Sequence, residues 1–312
     1  MNSMLQCLLN TSPLREYFSD SEYKSCLKTR SGLAATFAEL VNDVWSGKRS
    51  SISPSTMKRQ IEKHNPQFKG YRQHDSHELL LSILDGIHEE LNSQDRSKQK
   101  YRDLDKLPLF KKAEEAWVEY NLRDRSMLVD IFVGQMISTL TCQSCDEIST
   151  VCESFWDLSV PLGDNTSSCL KKFTNEELLD GDERPKCDKC NKRRAMLKQY
   201  KLWRLPKILV VQLKRFTGSG RIRSKDSRMV ELESEIDCKK LLHEESPHKT
   251  KTIYRLYAVS NHMGGTGGGH YTASCKHFSS DNWRYFNDSS VSDISASRIQ
   301  TSDAYVLFYE RL

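Results

Sequence analysis

The chain has 312 residues, 37% hydrophobic and 29% charged, with only 8 prolines and 14 glycines, which excludes a disordered or fibrous polypeptide and suffices for a sizeable core. There is no run of 18 uninterrupted apolar residues and no basic stretch followed by a long apolar run at the start, which excludes a helical membrane span and a secretory signal in this sequence. Forty-seven basic against 42 acidic residues leave a net charge of +5, too thin to predict a nucleic-acid surface from bulk charge. The chain reads as intracellular, cytoplasmic with the nucleus as an alternative.

The opening decamer MNSMLQCLLN places Met1, Met4, Leu5, Leu8 and Leu9 on one apolar stripe at helical spacing, with Cys7 off its centre as a half-buried packing residue. Leu33, Phe37, Leu40, Val41 and Val44 repeat in the same way, as do Leu79, Leu80, Ile83, Leu84, Ile87 and Leu91. Ser53-Pro54 predicts a further helix start, serine as N-cap and proline at the first helical position. Residues 1 to about 130 therefore read as a helical lobe. From Met136 the texture changes to short β-type runs, MISTLTC and STVCESFWDLSV, with cysteine pairs at turn-like sites. After a polar stretch around Asp180 to Arg194, strand runs dominate: KILVVQLKRF, YRLYAVSNH, HYTASCKHF, WRYFND and AYVLFYERL. Successive strands of this kind predict a mostly antiparallel sheet, and Thr217 to Arg228 is the candidate mobile loop between two of them. The class is α+β.

Ten cysteines in a small secreted chain would suggest disulfides, but four of these fall into two CxxC pairs and six show no regular spacing. Cys142 and Cys145, then Cys187 and Cys190 after 41 intervening residues, supply four thiolates suited to one tetrahedral structural Zn2+. The alternative is a set of unmetallated buried cysteines. Lys186, Lys189, Lys192, Arg193 and Arg194 surround the second pair and raise a nucleic-acid module as a competing function. No aromatic residue interleaves with them, and Asp182, Glu183 and Asp188 dilute the charge, so a solvated turn is favoured and no nucleic-acid partner is expected.

In NHMGGTGGGHYTASC, five glycines precede His270, which enters a strand. Glycines let another chain pass close to the main chain, which suits a groove wall, although a glycine-rich hairpin loop needs no ligand. Seventeen residues on, Asn287 or Asp288 of WRYFND could orient a histidine by accepting its Nδ1 proton.

These blocks resemble the ubiquitin-specific proteases, papain-like cysteine deubiquitinases, across nearly the whole chain. Met1-Asn2-Ser3 and Leu5-Gln6-Cys7-Leu8 match the end of the family's first block, YRQHDSHELL is similar to its second, and GGGHYTA, WRYFND and AYVLFY to its last. The two CxxC pairs are similar to the family's zinc-bearing fingers. The resemblance implies a right-hand architecture in one domain: a helical thumb over 1–130, zinc-stapled β fingers over 131–205 and an antiparallel β palm over 206–312 with the His270 loop. It implies ubiquitin and ubiquitinated proteins as partners, His270 as general base, Asn287 as its orienting partner with Asp288 as a substitute, and gating loops near Thr217 to Arg228 and His262 to Gly269. Asp75 and Glu78, with Gly268 and Gly269, would contact the basic tail of ubiquitin and its terminal Gly-Gly. The reaction implied is attack of a cysteine thiolate on the carbonyl of ubiquitin's terminal glycine, an acyl enzyme, and hydrolysis.

Two departures qualify that expectation. The family's nucleophile would stand two residues before Met1, and its oxyanion-stabilising asparagine further upstream, so the 312 residues alone are expected to fold but not to hydrolyse; Cys7 lacks the helix N-terminal setting that activates a thiol. The competing reading is a ubiquitin-binding pseudoenzyme. The second block carries His74 and His77 where glutamines are common, His77 as a surface or packing residue. Asp75-x-x-Glu78 ahead of an apolar helix is equally a capping-box pattern, so both roles stay open for these acids.

Overall fold

The computed structural model describes residues 1–312 except 22, 30, 97–101, 218–223 and 266–267. Eight helices precede the first strand among the described residues: α1 (Asn2–Leu9), α2 (Ser12–Ser19), α3 (Tyr23–Cys26), α4 (Leu33–Trp45), α5 (Ser55–His64), α6 (Ser76–Leu91), α7 (Leu109–Arg123) and α8 (Met127–Phe132). The periodicities around Leu33 and Leu79 become α4 and α6, and their ends are closed by side chains. Glu90, at the end of α6, accepts from the first amides of α4, Leu33 N at 2.7 Å and Ala34 N at 2.9 Å. A carboxylate at a helix N-terminus meets both the unpaired amides and the positive end of the dipole. The helix expected from Ser53 begins one residue later, with Pro54 itself as N-cap of α5.

The strands follow as β1 (Gly134–Cys142), β2 (Ile148–Phe155) and β3 (Leu158–Val160); after α9 (Thr166–Thr174) come β4 (Glu177–Leu179), β5 (Lys186–Cys187), β6 (Lys192–Arg193), β7 (Met196–Arg204) and β8 (Ile208–Leu213). The remainder are β9 (Phe216–Thr217), β10 (Ser224–Lys225), β11 (Glu235–Asp237), β12 (Ile253–Gly265), β13 (Gly268–Lys276), β14 (Trp283–Asn287), β15 (Ser290–Ile294) and β16 (Ala304–Arg311). One sheet, in the order β2-β1-β7-β4, carries the first CxxC pair at the end of β1. A larger sheet runs β15-β14-β13-β12-β16-β8-β3, with β11 against β12. All its pairings are antiparallel except β3 with β8, so the three residues Leu158–Val160, inside the span expected to form the fingers, belong to the large sheet.

Alternation along the central strands explains why this sheet is buried on both faces. Ile208 and Val210 of β8 and Val306 and Phe308 of β16 join the helical lobe in one core. Their neighbours Leu209, Val211, Leu213, Leu307 and Tyr309 face the opposite side, toward Cys169 and Leu170 of α9 and Cys238 and Leu241. Helices and sheet therefore share a single core on the side that bears the cleft. Residues 218–223 of the candidate mobile loop and 266–267 of the glycine stretch lie outside the described residues. The flanks of the former are tied down: Thr217 pairs with Ser224, and Arg215 Nη1 donates to the carbonyls of Asp226 and Arg228.

Phe308 is fully buried where the two bodies meet. Phe308→Ala is expected to cost about 3–5 kcal/mol through lost burial and an unfilled cavity. A urea or guanidinium titration followed by tryptophan fluorescence checks this.

Candidate functional site

Helix α1 lies on the hairpin of β12 and β13. Ser3, Met4, Leu5, Cys7, Leu8 and Leu9 are all buried, so α1 is enclosed on more than its predicted stripe. Cys7 is wholly buried rather than half-buried, because its off-centre position faces β13, where its thiol meets that of Cys275. Burial, first, and the adjacent Cys7 push the Cys275 thiol well above its ordinary pKa, so neither burial nor pairing favours a reactive thiolate there. Thr11, just past α1, bonds its hydroxyl to that of Tyr257 at 2.8 Å within the same interface.

His270 sits on β13 and Asn287 ends β14, and the hairpin register brings them together: His270 Nε2 lies 2.6 Å from Asn287 Oδ1. The contact uses Nε2, not the Nδ1 anticipated from the sequence, which leaves Nδ1 for a reacting group. Asp288 goes elsewhere. Asn287 pairs with Ser290, so Asp288 and Ser289 form a two-residue turn in which Asp288 takes a φ of 49°, a conformation that aspartate tolerates better than most residues. The exposed Asp288 offers its main-chain carbonyl to Asn2 Nδ2 at 2.9 Å, tying the start of α1 to this turn.

The glycines ahead of His270 have separate local causes. Gly264 has a φ of 99°, and a Cβ there would meet the Gly268 carbonyl at 2.7 Å. A Cβ at Gly269 would fall 2.2 Å from His262 Nε2 and 2.5 Å from the Met263 carbonyl, so a side chain is excluded by packing. Burial and the nearby Lys225 ammonium push His262 below its ordinary pKa, which keeps that ring neutral near pH 7. Across the cleft, Gln73 on the segment before α6 pairs with the main chain of Gly269: Gly269 N donates to Gln73 Oε1 at 2.9 Å, and Gln73 Nε2 donates to the Gly269 carbonyl at 3.1 Å.

Asp75 is the N-cap of α6, its Oδ1 accepting from His77 N at 2.7 Å and Glu78 N at 3.1 Å. That is the cap half of the anticipated pattern; Glu78 itself is exposed. Of the two places expected for His77, surface or packing, it takes the second: it is buried, with Nε2 2.8 Å from Asp157 Oδ2. Gln73, Asp75, Glu78, Gly268, His262 and Tyr305 line one cleft of about 460 Å3, together with Tyr271, the residue after His270 on β13. Gln73, Gln212, Arg215 and Tyr305 received no role in the sequence. An amide or arginine beside an acid block or at a strand end is the only signal for them, and it is weak.

The four CxxC thiols converge. Their sulfurs lie within 4.8 Å of one another, with Cys145 and Cys187 at 3.7 Å. Thiolates about 2.3 Å from a tetrahedral zinc stand about 3.8 Å apart, so the donor set fits that ion. Both cysteine turns use a left-handed residue, Asp146 with φ 55° and Asn191 with φ 53°. Cys190 N points at the Cys187 sulfur at 3.4 Å, and Gln143 N bonds the Ala195 carbonyl at 3.0 Å, fastening the two hairpins. Lys189, in the basic cluster, is paired with Glu147 at 3.2 Å.

The family model for ubiquitin carboxyl-terminal hydrolases matches residues 1–309. The chain belongs to that family. It is 42% identical to human ubiquitin carboxyl-terminal hydrolase 2, over 99% of this chain and 53% of the relative, and 38% identical to the Drosophila melanogaster hydrolase Usp2, over 100% and 34%. The chain thus spans about half or less of the length of these relatives. Among solved structures, the SAGA Ubp8/Sgf11/Sus1/Sgf73 DUB module bound to ubiquitin aldehyde is similar, with a TM-score of 0.79 and 26% identity over 100% of this chain and 67% of that one. The α+β architecture and the whole-chain resemblance to ubiquitin-specific proteases accordingly stand, and the cysteine cluster is compatible with that family's zinc finger.

Within this ubiquitin-specific protease domain, Gly269→Ala forces a methyl against His262 and the adjacent strand. The expected outcome is a loss of about 1–3 kcal/mol, read as a lowered thermal midpoint. Gly265, where a Cβ would meet nothing within 4 Å, is the control: Gly265→Ala should leave the midpoint nearly unchanged.

Proposed function

We propose that this domain is the catalytic region of a deubiquitinase that cleaves the bond after the terminal glycine of ubiquitin. The observation that carries the reading is the 2.6 Å contact between His270 Nε2 and Asn287 Oδ1, on the strand whose Gly268 and Tyr271 line the cleft. An amide oxygen there holds the ring with Nδ1 available to take a thiol proton. The thiolate attacks the glycine carbonyl to give a thioester, His270 returns the proton to the departing lysine amine, and water, deprotonated by the same ring, completes hydrolysis. Support for the ubiquitin end comes from the relatives' names and from the ubiquitin aldehyde bound in the similar Ubp8 module.

The thiol itself is assigned to the Thr-Cys-aromatic segment that the family carries ahead of Met-Asn-Ser. Among the described residues the side-chain partner of His270 is Asn287 and not a cysteine, and Cys7 is wholly buried. On residues 1–312 alone the site is therefore read as binding ubiquitin without cutting it. The ten free thiols suit a reducing compartment, the cytoplasm with the nucleus as an alternative. One structural zinc held by Cys142, Cys145, Cys187 and Cys190 closes the far end of the smaller sheet and supplies no open coordination position.

Ubiquitin carrying a C-terminal thiol-reactive group should form no adduct with residues 1–312, and should label a chain extended by that segment unless His270 is changed to alanine. An adduct on Cys7 would overturn the assignment of the thiol, and failure of unmodified ubiquitin to bind would overturn the whole reading. Elemental measurement should give about one zinc per chain, lost in Cys187→Ser; a folded wild-type chain without zinc would sink the metal assignment.

A further inference from the structure

Three regions of the molecule are joined beneath the cleft by one directed line of side-chain hydrogen bonds. Tyr305, on β16, donates its hydroxyl proton to Asp75 Oδ2 at 2.6 Å. That same hydroxyl accepts from Gln212 Nε2, on β8, at 2.8 Å. Gln212 Oε1 accepts from the hydroxyl of Ser159, on β3. The polarity has only one solution. The Asp75 carboxylate can only accept, so the phenol gives it its single proton, the phenol oxygen is left to accept from the Gln212 NH2, and the Gln212 oxygen faces Ser159, whose hydroxyl also lies 3.4 Å from Asp157 Oδ2. Asp157 completes the arrangement by accepting from His77 Nε2 at 2.8 Å, and His77 N returns to Asp75 Oδ1 at 2.7 Å.

Asp75, Gln212 and Tyr305 all line the same cleft, and Tyr305 is only 2% exposed. Burial, followed by the Asp75 carboxylate, holds the phenol far above its ordinary pKa, so it keeps its proton and stays a donor at neutral pH. The carboxylate of Asp75 is thus gripped from two sides, by the α6 amides on Oδ1 and by the phenol on Oδ2. It cannot rotate without breaking one of them.

We propose that Tyr305, backed by Gln212, is a positioning residue that fixes the Asp75 carboxylate in the orientation needed to meet a cationic side chain of the ubiquitin tail. This rests on the reading of the cleft as the ubiquitin site. A charge-assisted contact depends on angle as well as distance, so losing the phenol frees the carboxylate and weakens that contact while leaving the ring packed against Phe216 at 5.5 Å between centroids.

The test is a double-mutant cycle on ubiquitin binding by residues 1–312, followed by calorimetry. The probes are unmodified ubiquitin and a ubiquitin whose basic tail residues are replaced by glutamine. Tyr305→Phe is expected to weaken unmodified ubiquitin roughly five- to ten-fold and the neutral-tail form less than about two-fold. In an Asp75→Asn background it should add no further loss. Gln212→Met, one link further back, should give a smaller loss with the same dependence on the tail, and it carries the test if Tyr305→Phe does not fold. Equal losses for both ubiquitins, or none, would overturn the proposal while leaving the cleft a ubiquitin site. Absence of binding by the unchanged chain would instead remove the reading on which the proposal stands.

Discussion

The geometry of the cleft depends on the packing of α1 against the β12–β13 hairpin. His270 is on β13, so whatever fixes that strand relative to the helices fixes the site. Cys7 against Cys275 and the Thr11–Tyr257 hydroxyl pair lie in this interface, wholly out of solvent. The surrounding core does not stop at the boundary between helices and sheet. Leu8, Phe37, Leu80 and Ile83 belong to one apolar cluster with Val210, Ala258, Ala273 and Phe308. Close-packed interiors move as units rather than deforming gradually, so the two walls of the cleft are held at one separation.

Polar contacts refine what this core sets. Asn2 reaches the turn after β14, and Gln73 reaches Gly269 just before His270, so each end of the β13–β14 hairpin is touched by a side chain from the helical part. Their sequence separations of 286 and 196 residues show that the cleft is assembled entirely by tertiary contacts. The opposite face of the sheet contributes differently. There α9 and β11 cover Leu209, Val211 and Leu307 in a second apolar cluster.

Much of this was legible in the sequence where the cause is local. The 3.6-residue spacing of Leu33 to Val41 and of Leu79 to Leu91 gave α4 and α6, because burial on one face leaves that imprint. The CxxC spacing marked the thiol cluster for the same reason: two turns each aim a pair of sulfurs inward. His270 and Asn287 were within reach because they lie on adjacent hairpin strands, but the choice between Asn287 and Asp288 needed the register, which depends on a two-residue turn. Cys7 was misjudged as half-buried since a helical wheel shows one partner face, and α1 has partners on several. What stayed hidden is the relay through Ser159, Gln212, Tyr305 and Asp75, whose links join residues 53, 93 and 230 positions apart with no periodicity to betray them. Leu158–Val160 fall within a run that reads as β-type, but their place beside β8 in the larger sheet was hidden, since so short a strand carries no pattern that chooses its partner.

The cleft's polar lining is, for the most part, already paired. Gly269 presents its amide and carbonyl to Gln73, and Asp75 gives both oxygens to the protein, so a main chain entering here exchanges hydrogen bonds rather than simply gaining them. Exchange yields little net free energy per bond, on the order of 1 kcal/mol, and makes shape the stronger filter. Arg215 and His262 depart from this pattern. Both line the cleft and are buried, and among the described residues Arg215 Nη2 and His262 Nδ1 have no hydrogen-bond partner. The glycines that line the cleft, Gly265 and Gly268, leave room for a Cβ, whereas Gly264 and Gly269, where a Cβ would clash, are held to glycine by their own hairpin, through the Gly268 carbonyl in one case and His262 Nε2 with the Met263 carbonyl in the other.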